Sequence, residues 1–293
     1  MTSNKLSSDE IAEVRRTIVA ALKEDVGSGD HTSLATIPVE AIGAATLFVK
    51  EDGIIAGIEL AEMIFSEVDA AIKFIATIKD GDSVKKGDIA FKVYGPSRST
   101  LQAERLVLNF MQRMSGIATR TNQLTKLISH TKTKLLDTRK TTPGIRIFEK
   151  WAVRIGRGIN HRKGLYDMVL IKDNHIDYAG GIRQAIESAK TYLEEKELAL
   201  KIEIEARNLS EVKEIISIGG VDRIMLDNFS PAQITEALKI IDPKKYETEA
   251  SGGITENNII AYAETGVDFI SCGMLTHSVK SLDLSLKAAN NLQ

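Results

Sequence analysis

The chain of 293 residues has a single cysteine, Cys272. An intrachain disulfide is therefore impossible, and a cysteine-rich zinc centre is excluded. An excess of either charge is also lacking: 38 Lys and Arg stand against 40 Asp and Glu, a net of −2. Such a balance offers no bulk attraction to nucleic acid or to an anionic membrane. No apolar run approaches the ~20 residues that cross a bilayer. The opening MTSNKLSSDEIAEVRR has no apolar core of signal-peptide type. A soluble, cytoplasmic protein is expected. What is present is 43% hydrophobic residues, enough for one large core or two smaller ones.

The first part of the chain mixes helix and strand signals. Ser7-Ser8-Asp9-Glu10 is a capping-box pattern, and Ile11, Val14, Ile18 and Leu22 form the stripe of a helix running to about Lys23. EDVGSGDHTS (24–33) reads as a loop. Strand-like runs follow at 44–50, 53–57, 72–78 and 89–95, with a helix near 58–67. DGDSVKKGD (80–88) is a hairpin turn resembling those of lipoyl and biotinyl carriers. Lys85 and Lys86 lack the signature of a modified lysine, so the expectation is a small sandwich-like domain. A long helix is predicted over 100–129, with Gly116 as a candidate bend.

From there the pattern alternates. Strands are predicted at 134–138, 167–172, 200–205, 222–227, 246–251 and 267–271, with helices between them. Alternation of this kind indicates parallel strands joined by crossover helices. Six units fall short of the eight of a full barrel. The predicted fold class is therefore α/β: a small N-terminal α/β sandwich-like domain (1–130) plus an incomplete, open α/β barrel (131–278). Residues 279–293 are expected to pack back on the first domain. An open doubly wound sheet is the alternative.

Each barrel strand ends in polar or small residues: Asp137-Thr138-Arg139-Lys140, Lys172-Asp173-Asn174, Glu203 and Glu205, Asp227-Asn228, Ser251-Gly252-Gly253, and Ser271-Cys272-Gly273. The carboxyl ends of barrel strands are where chemistry sits. Helix capping accounts for Asn208 and Ser230 and competes for Asn174 and Asn228. It does not account for Arg139, Lys172 or Glu205. NHRKGLYDMVLIKDNHI (160–176) adds His161, Arg162, Lys163 and His175. Clustered cations in a nearly neutral protein imply a specific small anion. The fork of Arg suits carboxylates, and the small-residue loops 251–255 and 271–278 suit a phosphate. Glu205 and Asp227, on neighbouring strands, suit Mg²⁺ held through water and substrate oxygens, or ribose hydroxyls. Glu203 reads better as an ion-pair carboxylate. A carboxylate-bearing substrate, a phosphorylated sugar and Mg²⁺ together suggest phosphoribosyl transfer.

DTRKTTPGIR (137–146), NHRKGLYDMVLIKDNHI (160–176), EIEA (203–206), MLDN (225–228), EASGGI (249–254), SCGMLTHS (271–278) and ERLVLNFMQRMSGIAT (104–119) closely resemble the quinolinate phosphoribosyltransferase family. The resemblance covers most of the chain. It implies an open α/β barrel and a homodimer with its active site at the interface. It also implies the joining of quinolinate to phosphoribosyl pyrophosphate, which yields nicotinate mononucleotide, pyrophosphate and CO₂ in NAD synthesis. By the same resemblance Arg139, His161, Arg162 and Lys172 hold the quinolinate carboxylates, and Arg105 reaches the partner's site. Lys140 faces pyrophosphate or the carboxylates, and Glu205 and Asp227 bind ribose and Mg²⁺. Ser251, Gly252, Gly253 and Gly273 cradle the 5′-phosphate, with His277 nearby. The catalytic set expected is Lys140, Lys172, Glu205 and Asp227. Arg157 stands where glycine is usual, and Ala206 where Val, Thr or Cys is commoner.

Three rivals remain at this stage. Within the transferase class, nicotinate could replace quinolinate, or the chain could be a related protein linked to molybdenum metabolism, although the number of cations favours a dicarboxylate. Lys172 could be a Schiff-base lysine of an aldolase. A metabolite-binding protein would bind quinolinate and release no CO₂.

Overall fold

The computed structural model describes residues 5–289; the expected spans starting at residue 1 or ending at 293 reach outside them. The elements run α1 (Ser8–Val26), α2 (His31–Thr36), β1 (Ile42–Val49), β2 (Gly53–Ile54), α3 (Ile58–Val68), β3 (Lys73–Ala76), β4 (Ser83–Val84), β5 (Ile89–Pro96) and α4 (Ser97–Leu127). Next come β6 (Lys134–Leu136), α5 (Arg146–Ile155), β7 (Val169–Ile171), α6 (Asp173–Ala179), α7 (Ile182–Glu195), β8 (Ile202–Ala206) and α8 (Leu209–Ile218). The chain closes with β9 (Arg223–Asp227), α9 (Pro231–Ile240), β10 (Glu247–Ser251), α10 (Ile259–Ala263), β11 (Phe269–Ser271), α11 (Met274–His277) and β12 (Leu284–Ala289).

The chain divides into two compact units. The first comprises Met1–Asn122, Thr141–Arg157 and Leu275–Gln293, and the second Gln123–Lys140 and Gly158–Met274. The division differs from one cut between 130 and 131, because 141–157 goes with the first unit. Within that unit α5 carries Glu149, fully buried, which accepts from the Arg113 guanidinium of α4 at 2.8 and 3.0 Å. Arg154, at the other end of α5, pairs with Glu10 of α1 at 2.8 Å.

The first unit is built on an antiparallel sheet ordered β12-β1-β5-β3. β1 buries Ala45, Leu47 and Val49 at alternate positions, the period by which a strand turns one face inward. Phe65 of α3, Phe74 of β3 and Phe91 of β5 form a ring cluster with centroids 4.6–6.1 Å apart. The α1 capping box forms, with Ser7 Oγ accepting from the Glu10 amide at 3.2 Å and Glu10 accepting from Ser7 at 2.8 Å. The 24–33 loop gives way to α2 where Asp30 caps it, accepting from the Ser33 amide at 3.0 Å. In the 80–88 turn, Asp80 accepts from the amides of Gly57, Ile58 and Glu59 at the start of α3, and Lys85 pairs with Asp52. The turn is thus a helix cap and an ion pair. α4 runs unbroken through Gly116, where a Cβ would meet the Lys280 carbonyl oxygen at 2.3 Å. The glycine admits close backbone approach.

The second unit is a six-stranded parallel sheet ordered β6-β11-β10-β9-β8-β7. Five strands follow in chain order and the first, β6, returns beside the last. That is barrel order left open between β6 and β7. All five residues of β8 are buried, as expected for a strand covered on both faces. Asn208 and Ser230 cap α8 and α9, accepting from the amides of Ser210, Glu211 and Gln233.

Candidate active site

The open edge of the barrel is filled from the loop that leads into β7. Asp137, fully buried just after β6, accepts from the His161 amide at 2.8 Å and from Asn160 Nδ2 at 2.6 Å. Further along, Asp167 accepts from the amides of Lys163 and Gly164 at 2.6 and 2.8 Å, closing the HRKGLYD turn. Arg162 is set between these two anchors, and its Nη1 donates to the Met168 carbonyl at 3.3 Å. Burial, with the neighbouring Arg139 charge, holds the Arg162 guanidinium below its ordinary pKa. Arg139 Nε is buried and has no acceptor among the described residues. A buried donor without a partner is costly, and one guanidinium raising the electrostatic cost of another calls for an anion.

Lys172 follows β7. Its Nζ donates to Glu205 Oε1 of β8 at 2.5 Å, and Glu205 is 7% exposed. An amine already engaged by a buried carboxylate is not the free nucleophile that Schiff-base chemistry needs. The His175 ring accepts from the Lys172 amide at 2.9 Å and so fixes the loop. Asp227 ends β9. Burial, then the Glu205 charge, pushes its carboxyl above the usual range, and Lys172 opposes the rise. Lys140 stays exposed, its amide donating to Thr138 Oγ1 at 3.0 Å.

The next strand end supplies a glycine turn. Gly252 has φ +92°, and a Cβ there would lie 2.2 Å from Asn228 Oδ1. Asn228 itself adopts φ 57°, and its amide donates to the Ser251 carbonyl at 2.8 Å. Gly253 has φ +62° with open space where its side chain would be. Asn258 braces this turn, accepting from the Thr255 amide at 2.7 Å and donating to the Gly253 carbonyl at 3.1 Å. Gly273 stands between β11 and α11. Residues 252 and 253 therefore present a glycine turn on which an anion can approach backbone closely.

His161 departs from the expected arrangement. Its side chain is 6% exposed, with Nε2 3.0 Å from Glu203 Oε2 and 3.4 Å from Glu249 Oε2. The imidazole turns toward two buried carboxylates instead of facing outward. Nδ1 accepts from the Arg162 amide at 2.6 Å. Arg223 of β9 completes the cluster, Nη1 lying 3.0 Å from Glu249 and 3.9 Å from Glu203. Burial lowers the imidazole pKa, but the two carboxylates raise it to about 9. Burial and the Glu249 charge push Glu203 up to about 7. These groups titrate as a unit. With Nδ1 accepting the Arg162 amide, the proton of the neutral ring sits on Nε2, toward the carboxylates. Among the described residues these are the three whose ligand atoms lie within 4.8 Å of one another; Glu205 and Asp227 form no such set.

Arg105 and His277 belong to the first unit. Arg105 is exposed on α4. His277 is exposed at the end of α11, with Nδ1 2.5 Å from Ser278 Oγ.

Comparison with known proteins supplies the family. Residues 30–115 match the family model described as quinolinate phosphoribosyl transferase, N-terminal domain, and residues 117–287 match the C-terminal domain. The chain belongs to the quinolinate phosphoribosyltransferase family. Quinolinate phosphoribosyltransferase [decarboxylating] 1b of Nicotiana tabacum is 48% identical over 295 residues, covering 96% of this chain and 83% of that one. The probable nicotinate-nucleotide pyrophosphorylase [carboxylating] of Bacillus subtilis is 43% identical over 263 residues, covering 90% and 89%. The solved structure of the nicotinate-nucleotide pyrophosphorylase from Francisella tularensis superposes with a TM-score of 0.88 at 42% identity, covering 98% of each chain. For a quinolinate phosphoribosyltransferase, Arg157 is an instructive departure. Its φ is 73°, a left-handed conformation that glycine adopts freely and that costs other residues about 1–2 kcal/mol. Ala206 is fully buried at the end of β8.

Proposed function

We propose that the chain transfers a phosphoribosyl group from phosphoribosyl pyrophosphate to quinolinate with loss of CO₂, giving nicotinate mononucleotide and pyrophosphate for NAD synthesis. The observation that carries the proposal is the Arg139 and Arg162 pair, with a buried Arg139 donor left open, at the same strand ends as Lys172 and the Gly252-Gly253 turn. Arg139 and Arg162 take substrate carboxylates in bidentate fashion, with Lys172 as a point charge beside them. The glycine turn takes the 5′-phosphate.

The ring nitrogen of quinolinate attacks ribose C1 as the C1–pyrophosphate bond breaks. Positive charge develops on the sugar, and Glu205 and Asp227 stabilise it and hold the hydroxyls. The product pyridinium accepts the electron pair released when the C2–carboxylate bond breaks, and a proton takes the place of CO₂ at C2. Lys140 faces the departing pyrophosphate. Two carboxylates, one pushed up by burial and then by the other's charge, fit a divalent cation that would complete its shell with substrate and water oxygens. Mg²⁺ bound there supplies charge neutralisation for the leaving group. Catalysis is chiefly positioning and fixed charge.

The reading includes a homodimer in which the exposed Arg105 serves the partner's site. It also includes a cytoplasmic location, compatible with a lone cysteine and with the lack of a membrane-length apolar helix among the described residues. Purified protein mixed with quinolinate, phosphoribosyl pyrophosphate and Mg²⁺ should release one CO₂ per nucleotide and leave nicotinate unused. Nucleotide formed from nicotinate without CO₂ would overturn the substrate; tight quinolinate binding without product would leave a binding protein. Light scattering that returned only the 32.1 kDa single chain would remove the dimer, and cell fractionation checks location.

A further inference from the structure

Glu249 lies three residues before the glycine turn, is fully buried on β10, and has no part in the chemistry above. With Glu203 of β8 it faces His161 Nε2 at 3.4 and 3.0 Å. The other side of the same ring accepts the Arg162 amide at 2.6 Å, and the His161 amide is tied to Asp137 at 2.8 Å. An unbroken series of contacts thus runs from two barrel strands, through one imidazole, to the backbone of the arginine that faces the substrate.

A metal ion is one reading of two carboxylates and an imidazole. Arg223 argues against it. Its Nη1 is 3.0 Å from Glu249 Oε2 and 3.9 Å from Glu203 Oε2, so a guanidinium already supplies the positive charge there. A dication beside it in a buried site would be strongly repelled. Arg223 is also fixed from below by Glu247 at 3.0 Å and by stacking on Phe269, 4.2 Å from the ring centroid.

We propose that Glu249, together with Glu203, is a positioning residue of the quinolinate pocket: the buried carboxylates clamp His161, and His161 sets the backbone from which Arg162 reaches a substrate carboxylate. The proposal rests on the function proposed above. Second-layer partners of this kind fix first-contact groups to within fractions of an ångström, and small misplacements are costly in catalysis.

Glu249→Gln keeps the shape and removes the charge that orients the imidazole. The expected result is a KM for quinolinate raised about tenfold or more, a KM for phosphoribosyl pyrophosphate within about twofold and kcat within about threefold of wild type. Calorimetric titration of quinolinate should show the same weakening, and Glu249→Asp should recover part of it. Unchanged quinolinate binding in Glu249→Gln overturns the proposal, as does an equal loss for both substrates that follows a lowered Tm. If Glu249→Gln does not fold, Glu203→Gln is read by the same criteria. Wild-type turnover of quinolinate separates the two ideas: without it both fall, and with it an indifferent Glu249→Gln defeats the positioning role alone.

Discussion

Glu149 in the first unit and Glu203 in the second are both fully buried carboxylates, and the chain treats them in opposite ways. Glu149 accepts four hydrogen bonds, at 3.0 and 2.8 Å from Arg113 and at 3.0 and 2.8 Å from the amide and hydroxyl of Thr142. Glu203 is paired with His161 at 3.0 Å, yet neither of its oxygens accepts a well-aligned hydrogen bond. Burial and a second carboxylate then push it up to about 7. A satisfied buried charge holds a segment in place, here the 141–157 excursion. An under-satisfied one leaves electrostatic tension, and this one contacts His161 in the loop that carries Arg162, the arginine proposed to hold a substrate carboxylate. Buried tension of that kind is commoner at functional sites than elsewhere.

The contrast is broken most severely at Glu149. Glu149→Ala leaves the Arg113 guanidinium without its buried partner and should cost about 3–5 kcal/mol of stability, read by urea unfolding. The protein that remains folded should keep its kcat/KM for quinolinate; a loss of activity without a loss of stability would mean that Glu149 is not structural. Arg139→Ala should do the reverse. Removing a charge-assisted bidentate contact is expected to lower kcat/KM by about a hundredfold or more at unchanged Tm, and near-normal kinetics would withdraw Arg139 from the carboxylate site.

The smallest effect is in pH. His161 is raised from 6.5 to about 9 in the fold. A raised pKa contributes stability that is fully present below pH 6.5 and lost as pH climbs through about 9. Stability should therefore fall by about 1–3 kcal/mol across that window, with Glu203, Glu249, Arg223 and Arg162 as the charged neighbours. Calorimetry at the two ends checks it, and a flat profile would place the extra proton elsewhere.

Local signals in the sequence were dependable where the cause was local. The Ser7 capping box, the Asn208 and Ser230 caps and the six strand positions follow from neighbouring residues alone. So does the placing of Arg139, Lys172, Glu205 and Asp227 at strand ends, because alternation and chain direction fix which end of a parallel strand carries them. The contacts of the His161 imidazole were not legible. His161 stands in a run of cations, and in one dimension it reads as another anion ligand. Its partners Glu203 and Glu249 come from β8 and β10, two strands apart in the sheet. Glu249 gave one faint sign, a carboxylate on the same strand face as Ser251.

The sequence by itself determined an open α/β barrel that follows a small α/β domain along the chain, a set of cationic, acidic and small residues at the strand ends, and the family, since periodicity, caps and long motifs are properties of contiguous residues. Only the tertiary structure decided that 141–157 belongs to the first unit, that Gly116 admits a carbonyl, and that His161 faces inward. Each of these depends on residues remote in the chain, and a buried charge finds its partner by proximity in space, which spacing along the sequence does not encode.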